Sequence, residues 1–178
     1  MVAVRRASCA ALRYRYLMLK KSSFMFITSA CLLLGSCAVE RVAPGASRAE
    51  VLGTFGQPAR EVPIPGGTRL QYSRLPAGQT AVMVDLDAQG RVASARQVLQ
   101  SGEFARIVLG SWSRADIERE FGPPYLVDRV ASWQGDIMNY TFREGGIDLF
   151  FFVYLDTANI AQRTGQAMDT RRDPVNDQ

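Results

Sequence analysis

The chain has 178 residues, with 21 basic residues, 17 acidic residues and no histidine. Six of the basic residues and none of the acids precede Cys37, so the rest of the chain carries 15 basic residues (21 less 6) against 17 acidic ones. That balance gives no electrostatic basis for binding nucleic acid. After Cys37 there is also no lysine and no further cysteine, which removes the commonest nucleophiles, general bases and zinc ligands. We therefore expect no enzymatic activity, no cofactor and no metal.

Residues 1–36 are predicted to be a lipoprotein signal peptide, with Met18 as the expected true start. An apolar run from 24 to 34 follows a basic stretch and is too short for a permanent membrane span. It ends in Leu34-Gly35-Ser36-Cys37, which resembles a bacterial lipoprotein box. An ordinary secretory signal or a membrane anchor with a chance cysteine is the alternative. The sequence predicts acylation of Cys37 and anchoring in the outer membrane, facing the periplasm.

A motif of helix type occurs twice, at 47–58 and at 113–124. In each copy a serine is followed three residues later by an acid, which is the spacing of a capping box. Each copy ends in Phe-Gly-x-Pro, which favours the end of a helix. The two copies indicate an internal duplication. The predicted organisation is a lipidated tether over 37–46, a first repeat over 47–100, a second repeat over 101–168 and a disordered polar tail over 169–178.

Alternating apolar and polar residues predict three strands in each repeat. They cover 68–74, 80–87 and 91–99, then 136–143, 147–156 and, as a strand or a helix, 159–166. The segment 62–67 is predicted to be a loop, because its prolines do not fit a central strand. We expect an α+β fold of two tandem units, each with one or two short helices and a three-stranded antiparallel meander. The helices are expected to pack on one face of the sheet.

Several segments of both repeats and the signal resemble the SmpA/OmlA (BamE-like) outer-membrane lipoproteins. The resemblance is carried by Pro44-Gly45, Phe55-Gly56-Gln57-Pro58, Leu70-Gln71-Tyr72 and the Val84–Val92 strand and turn. It implies a lipoprotein without enzymatic activity that supports envelope integrity through protein and lipid contacts, with the β-barrel assembly machinery as a partner. The tandem also resembles the β-lactamase inhibitor proteins, which implies an alternative role as an inhibitor of a periplasmic hydrolase. Leu70 stands where the family often has Trp, so no partner-binding residue is carried over.

Asp85 and Asp87 are the nearest approach to a pair of catalytic carboxylates. They are two residues apart on one strand face, and we interpret them as solvated side chains beside a turn. A histidine-free envelope enzyme that uses them is a second alternative function.

The two repeats differ on one sheet face. When Val84 is aligned with Val153, the positions of Met83, Asp85 and Asp87 are taken by Phe152, Tyr154 and Asp156, and Phe150 extends the aromatic row. A strand that is apolar on both faces needs a second cover. Either another part of the chain covers the aromatic stripe, or the stripe is exposed and binds a protein partner. The candidate partner-binding residues are Phe150, Phe152, Tyr154, Trp133 and Arg143.

Overall fold

The computed structural model describes residues 42–172. In chain order they form α1 (Arg48–Phe55), β1 (Arg60–Ile64), β2 (Gly67–Ser73), β3 (Ala81–Asp87), β4 (Val92–Gln97), α2 (Ser101–Phe104), α3 (Arg114–Phe121), β5 (Leu126–Asp128), β6 (Ile137–Glu144), β7 (Ile147–Leu155), β8 (Ala161–Met168) and a final 3₁₀ turn (Thr170–Arg172). Cys37 and the predicted signal peptide lie outside the described residues. The final turn falls within the segment predicted to be disordered. No helix between residues 42 and 172 is long and apolar enough to cross a membrane.

The fold is mainly β, so the predicted α+β architecture is wrong. Two antiparallel sheets of four strands each are present, with the orders β1-β2-β3-β4 and β5-β6-β7-β8. We call them the first sheet and the second sheet. Each repeat has one strand more than the predicted three-stranded meander, and the helices are short, with eight, four and eight residues.

The two additional strands are edge strands. Pro63 lies in β1, opposite Thr68 of β2, and an edge strand tolerates proline because its outer side needs no ladder hydrogen bond. We predicted a loop there because we considered only a central strand. In the second sheet β5 has only three residues, too few for a recognisable alternation. Its pairing with β6 is what defines it as a strand.

The predicted capping boxes are confirmed in both long helices. The Ser47 Oγ accepts a hydrogen bond from the Glu50 N–H, and the Glu50 carboxylate accepts one from the Ser47 N–H at 2.7 Å. Ser113 and Asp116 repeat the arrangement, with the return bond at 2.8 Å. Hydrogen bonds from Ser113, first through its side chain and then through its backbone, lower the pKa of Asp116.

Each helix also ends in the same way. Gly56 and Gly122 have φ angles of 77° and 79°, which only glycine adopts without strain. The Tyr72 hydroxyl donates to the Gly56 carbonyl at 3.2 Å, and the Tyr140 hydroxyl donates to the Gly122 carbonyl at 2.9 Å. The two tyrosines therefore occupy equivalent positions in the two repeats.

The helices do not share one face of a sheet, which is a second error in the predicted architecture. Val51 of α1 packs with Leu70 and Val84 on one side of the first sheet. Ile117 and Phe121 of α3 belong to a cluster with Met83, whose position in β3 puts it on the opposite side.

The α3 helix therefore contacts both sheets. Its Phe121 lies 6.1 Å from the ring of Tyr140 in the second sheet. From the first sheet, the Gln71 side chain donates to the carbonyls of Glu118 and Arg119 at 2.9 and 3.0 Å. Carbonyls at the end of a helix lack partners within the helix, so side chains of the first repeat complete the helix of the second.

Candidate functional site

The aromatic stripe of β7 lies on the side of the second sheet that faces away from the core. Phe151, Val153 and Leu155 are buried in the cluster that contains α3, whereas Phe150, Phe152 and Tyr154 belong to neither core cluster. These three are half-buried. Since successive residues of a strand point to opposite faces, they form one row. We call the sheet surface around this row the aromatic face.

The register of the strands gives the neighbours of the row. On β6, Ile137, Asn139 and Thr141 stand opposite Tyr154, Phe152 and Phe150. On β8, Arg163, Gly165 and Ala167 stand opposite the same three residues. On β5, Leu126 pairs with Asn139 and is 51% exposed. Towards β6 the aromatic face is therefore buried, with Asn139 and Thr141 as polar side chains, and towards β8 it has the small residues Gly165 and Ala167 beside Arg163.

The rings of the aromatic face are held by one another. Phe150 and Phe152 are stacked, with centroids 5.7 Å apart. Trp133 meets Tyr154 edge to face at 5.3 Å. The Trp133 Nε1 donates to the carbonyl of Leu155 at 2.7 Å, which fixes the indole beside the sheet. Rings that are already ordered lose little conformational entropy when a partner binds.

Trp133 and Arg143 lie at opposite ends of this surface. Trp133 contacts Tyr154, whereas Arg143 is opposite Asp148 on β7. Six residues along a strand span about 20 Å. The Arg143 Nε lies 3.5 Å from the Asp148 carboxylate, and its guanidinium also donates to the Gly146 carbonyl. The structure thus brings Trp133 into the aromatic cluster and leaves Arg143 at the hairpin, paired with a carboxylate.

Two arginines that the sequence analysis missed lie over the stripe. The Arg163 guanidinium carbon lies 3.9 Å from the centroid of Tyr154 and 5.5 Å from that of Trp133. The Arg171 guanidinium carbon lies 4.3 Å from the centroid of Phe150. Arginine favours such positions because its weakly hydrated plane is attracted to aromatic faces.

The two arginines differ in their polar partners. Arg171 makes two hydrogen bonds to the Asp169 carboxylate, at 2.7 and 2.8 Å, which raise its pKa. The Arg163 guanidinium has no carboxylate partner and no hydrogen bond among residues 42–172. Its N–H groups are therefore available to a ligand.

A cleft of about 360 Å³ opens beside Arg163. Its lining includes Trp133, Ile137, Asn139, Phe152 and Tyr154. The Asn139 side chain donates to the Ile137 carbonyl at 3.1 Å and is therefore satisfied within the sheet. Aromatic rings form part of the wall of the cleft, and its lining contains one cation, Arg163, and one acid, Asp128.

Asp85 and Asp87 do not form a carboxylate site. Asp87 accepts the N–H groups of Gln89 and Arg91 in its turn, as expected for a residue beside a turn. Asp85 is largely buried, with 15% of its side chain exposed, because α3 covers its face. Its carboxylate accepts two hydrogen bonds from Arg69 at 2.6 and 2.9 Å. Within residues 42–172 no group of three or more acids, cysteines or histidines is arranged to hold a metal.

Comparisons with known proteins add little to this geometry. Neither the family models nor the curated proteins give a match, so the resemblance to the SmpA/OmlA lipoproteins is not confirmed. Among solved structures, a DUF4309 family protein (YjgB) from Bacillus subtilis subsp. subtilis str. 168 is 15% identical, with a TM-score of 0.29. The match covers 74% of this chain and 90% of that chain. A likeness this distant carries no argument about function.

Proposed function

We propose that the protein is a non-enzymatic outer-membrane lipoprotein that binds another envelope protein through the aromatic face of its second sheet. The proposed setting is envelope biogenesis, either assembly of outer-membrane proteins or maintenance of envelope integrity. The observation that carries the proposal is the row Phe150, Phe152 and Tyr154, which stays outside both core clusters.

The composition of this face supports binding to a protein. Tryptophan, tyrosine and arginine are the residues that most often dominate the energetics of protein interfaces, and here Trp133, Tyr154 and Arg163 lie against one another. Leu126 adds an exposed apolar side chain on the same side of the sheet. The apolar centre and the charged rim match the usual anatomy of an interface.

The predicted acylation of Cys37 supplies the membrane part of the proposal. Two or more acyl chains would make the anchoring stable, and a short tether would keep the folded part near the membrane. The motifs that resemble SmpA/OmlA lipoproteins favour the β-barrel assembly machinery as the partner.

Site-specific photo-crosslinking in cells tests the proposal. A photoreactive residue at Leu126 should trap a discrete envelope protein, because this side chain is exposed on the aromatic face. Ala93 is the matched control, since it is also exposed but lies on β4 of the first sheet. Identical products from both positions would contradict the proposal. A soluble hydrolase trapped from Leu126 would favour the inhibitor role instead.

A further inference from the structure

The aromatic face continues to an open strand edge. β8 is the last strand of the second sheet and pairs only with β7. At its start the Ala161 backbone exchanges hydrogen bonds with Gly110 and Trp112. From 162 to 168 the outer edge of β8 has no strand partner within residues 42–172. Such an edge presents backbone donors and acceptors that another extended chain can complete.

The side chains of β8 leave room above the stripe. Gly165 stands opposite Phe152 and Ala167 stands opposite Phe150. A Cβ atom placed on Gly165 would meet the nearest atoms of Tyr154 and Phe152 only at 3.8 and 3.9 Å, which is ordinary contact distance. A side chain from a neighbouring strand could therefore lie over Gly165 and cover the flank of Phe152.

Arg163 marks one end of this space. It lies two residues before Gly165 on the same strand face, and Tyr154 and Trp133 hold its guanidinium without a carboxylate. A planar guanidinium with free N–H groups suits a carboxylate, which it can bind through two parallel hydrogen bonds. The nearest acid of the cleft, Asp128, is on β5, three strands away, and accepts the N–H of Arg129.

We propose that the ligand of this face is an extended acidic-apolar protein segment that adds to the edge of β8 and places a carboxylate on Arg163. An apolar side chain two residues from that acid lies over Gly165 and against Phe152. This inference rests on the proposed protein-binding function and specifies the chemistry of the partner. A polypeptide is favoured over a phosphate headgroup because only a polypeptide can complete the backbone ladder of β8.

Selection of random displayed peptides on the full chain in detergent tests this assignment. The enriched peptides should carry an aspartate or glutamate with a large apolar residue two positions away. Arg163→Gln should weaken the binding of a synthesised representative by about tenfold or more, as expected for a hydrogen bond to a charged group. Arg163→Lys keeps the charge but loses the planar fork, so it should restore only part of the affinity.

Two further variants test separately whether the apolar contact over Phe152 and the net charge of the protein contribute to peptide binding. Gly165→Val fills the space over Phe152 without backbone strain and should also weaken peptide binding about tenfold. Arg74→Gln is the matched charge control, because Arg74 is exposed in the turn after β2 and should bind the peptide as the parent chain does.

The inference is overturned if the enriched peptides lack acids, or if they bind the Arg163→Gln variant as well as the parent chain. It is also overturned if Arg163→Gln affects only flotation with phosphatidylglycerol vesicles, which would assign the arginine to a phosphate headgroup. Crosslinking from Leu126 in the Arg163→Gln background distinguishes the two proposals. If the crosslink is retained and the enriched peptides carry no acid, the proposed protein-binding function still holds. Only the proposal that Arg163 binds a carboxylate is then refuted.

Discussion

The first sheet and the second sheet come from one repeated unit but differ in what lies on the face of the sheet away from their own core helix. In the first sheet that face carries Arg69 and Asp85, and α3 packs against it. In the second sheet the corresponding face carries the aromatic stripe and Arg163, and neither core cluster includes it.

Arg69 of the first sheet and Arg163 of the second sheet show this difference most clearly. The Arg69 side chain is 6% exposed and forms ion pairs with Asp85 and Glu120 at 2.6 and 2.8 Å. Burial opposes its charge, but its hydrogen bonds to both carboxylates outweigh that effect and raise its pKa. Arg163 is exposed, and among the described residues its guanidinium lies over the rings of Tyr154 and Trp133 without an ion pair. On the face of the first sheet that α3 covers, Arg69 is paired with carboxylates. On the aromatic face of the second sheet, Arg163 has no carboxylate partner among the described residues.

The largest expected effect comes from substitution of two neighbouring phenylalanines on β7, which tests the comparison of the two sheets. Phe151→Ala should lower the free energy of unfolding by about 3–5 kcal/mol, because its ring stacks on Phe104 at 4.0 Å in the core. Phe152→Ala should cost about 1 kcal/mol, since its ring is only half-buried. Urea unfolding of the full chain measures both values.

The effects of the two substitutions on partner binding should have the reverse order. Phe152→Ala should remove the crosslink from Leu126 while the protein stays folded. Equal destabilisation by the two substitutions would show that the aromatic face is part of the core, and the comparison of the two sheets would fail.

The second test compares the effects on stability of substituting Arg69, which is paired with carboxylates, and Arg163, which is not. Arg69→Ala removes the cation of Asp85 and the nearest cation of Glu120, which keeps only longer contacts with Arg106 and Arg119 at 3.7 and 3.8 Å. The substitution should destabilise the fold by about 3 kcal/mol. Arg163→Ala should change the stability by less than about 0.5 kcal/mol, as is usual for an exposed side chain. Thermal unfolding of the two variants compares them directly. A stability loss at Arg163 as large as that at Arg69 would contradict its assignment to binding.

The predicted anchor can be tested separately from both sheets. Cys37→Ser removes the acylation site, so the protein should move from the membrane fraction to the soluble periplasmic fraction. Far-UV circular dichroism should be unchanged, because Cys37 precedes the sheets. An unchanged membrane fraction would refute the acylation, and loss of the Leu126 crosslink on release would show that the partner is met only at the membrane.

The smallest expected effect concerns the caps, which are the feature that the repeats share. Hydrogen bonds within the caps lower the pKa of Glu50 and of Asp116 from their ordinary values of 4.5 and 3.8. A depressed carboxyl pKa stabilises the folded state above the ordinary value, and this contribution is lost as the pH falls through the folded pKa. The free energy of unfolding should therefore decline as the pH falls below 4.5. In the Glu50→Gln, Asp116→Asn double variant the decline should be shallower, and an identical profile would show that the caps do not contribute.

Much of the backbone was predictable from local patterns. Capping boxes and Phe-Gly-x-Pro endings involve neighbouring residues only, so they identified both long helices. Strict alternation located β3, and the turn at Glu144-Gly145-Gly146 followed by a long apolar run located β7. β1 and β5 were missed because an edge strand can contain proline or be very short, and the pairing that defines it is a property of the assembled sheet.

The candidate site was predictable in its row of rings but not in its charges. Comparison of the repeats found Phe150, Phe152 and Tyr154, because a duplicated strand reveals where its copies differ. Arg163 was not predictable because the pattern over 159–166 fits either a strand or a helix, and without the β7–β8 register no residue can be placed opposite Tyr154. The contact of α3 with the first sheet was also invisible in the sequence, so Asp85 was wrongly taken to be solvated.

The hydrogen bonds from Gln71 to the last turn of α3 have a consequence for how this protein can evolve. Because a side chain of the first repeat completes the helix of the second, deletion of the first repeat would leave the carbonyls of Glu118 and Arg119 without these donors. Selection acting on the buried contacts of α3 then constrains both copies together. The rings of the aromatic face belong to neither core cluster. Their side chains can therefore change, and with them the partner that is bound, while the contacts between α3 and the two sheets are kept.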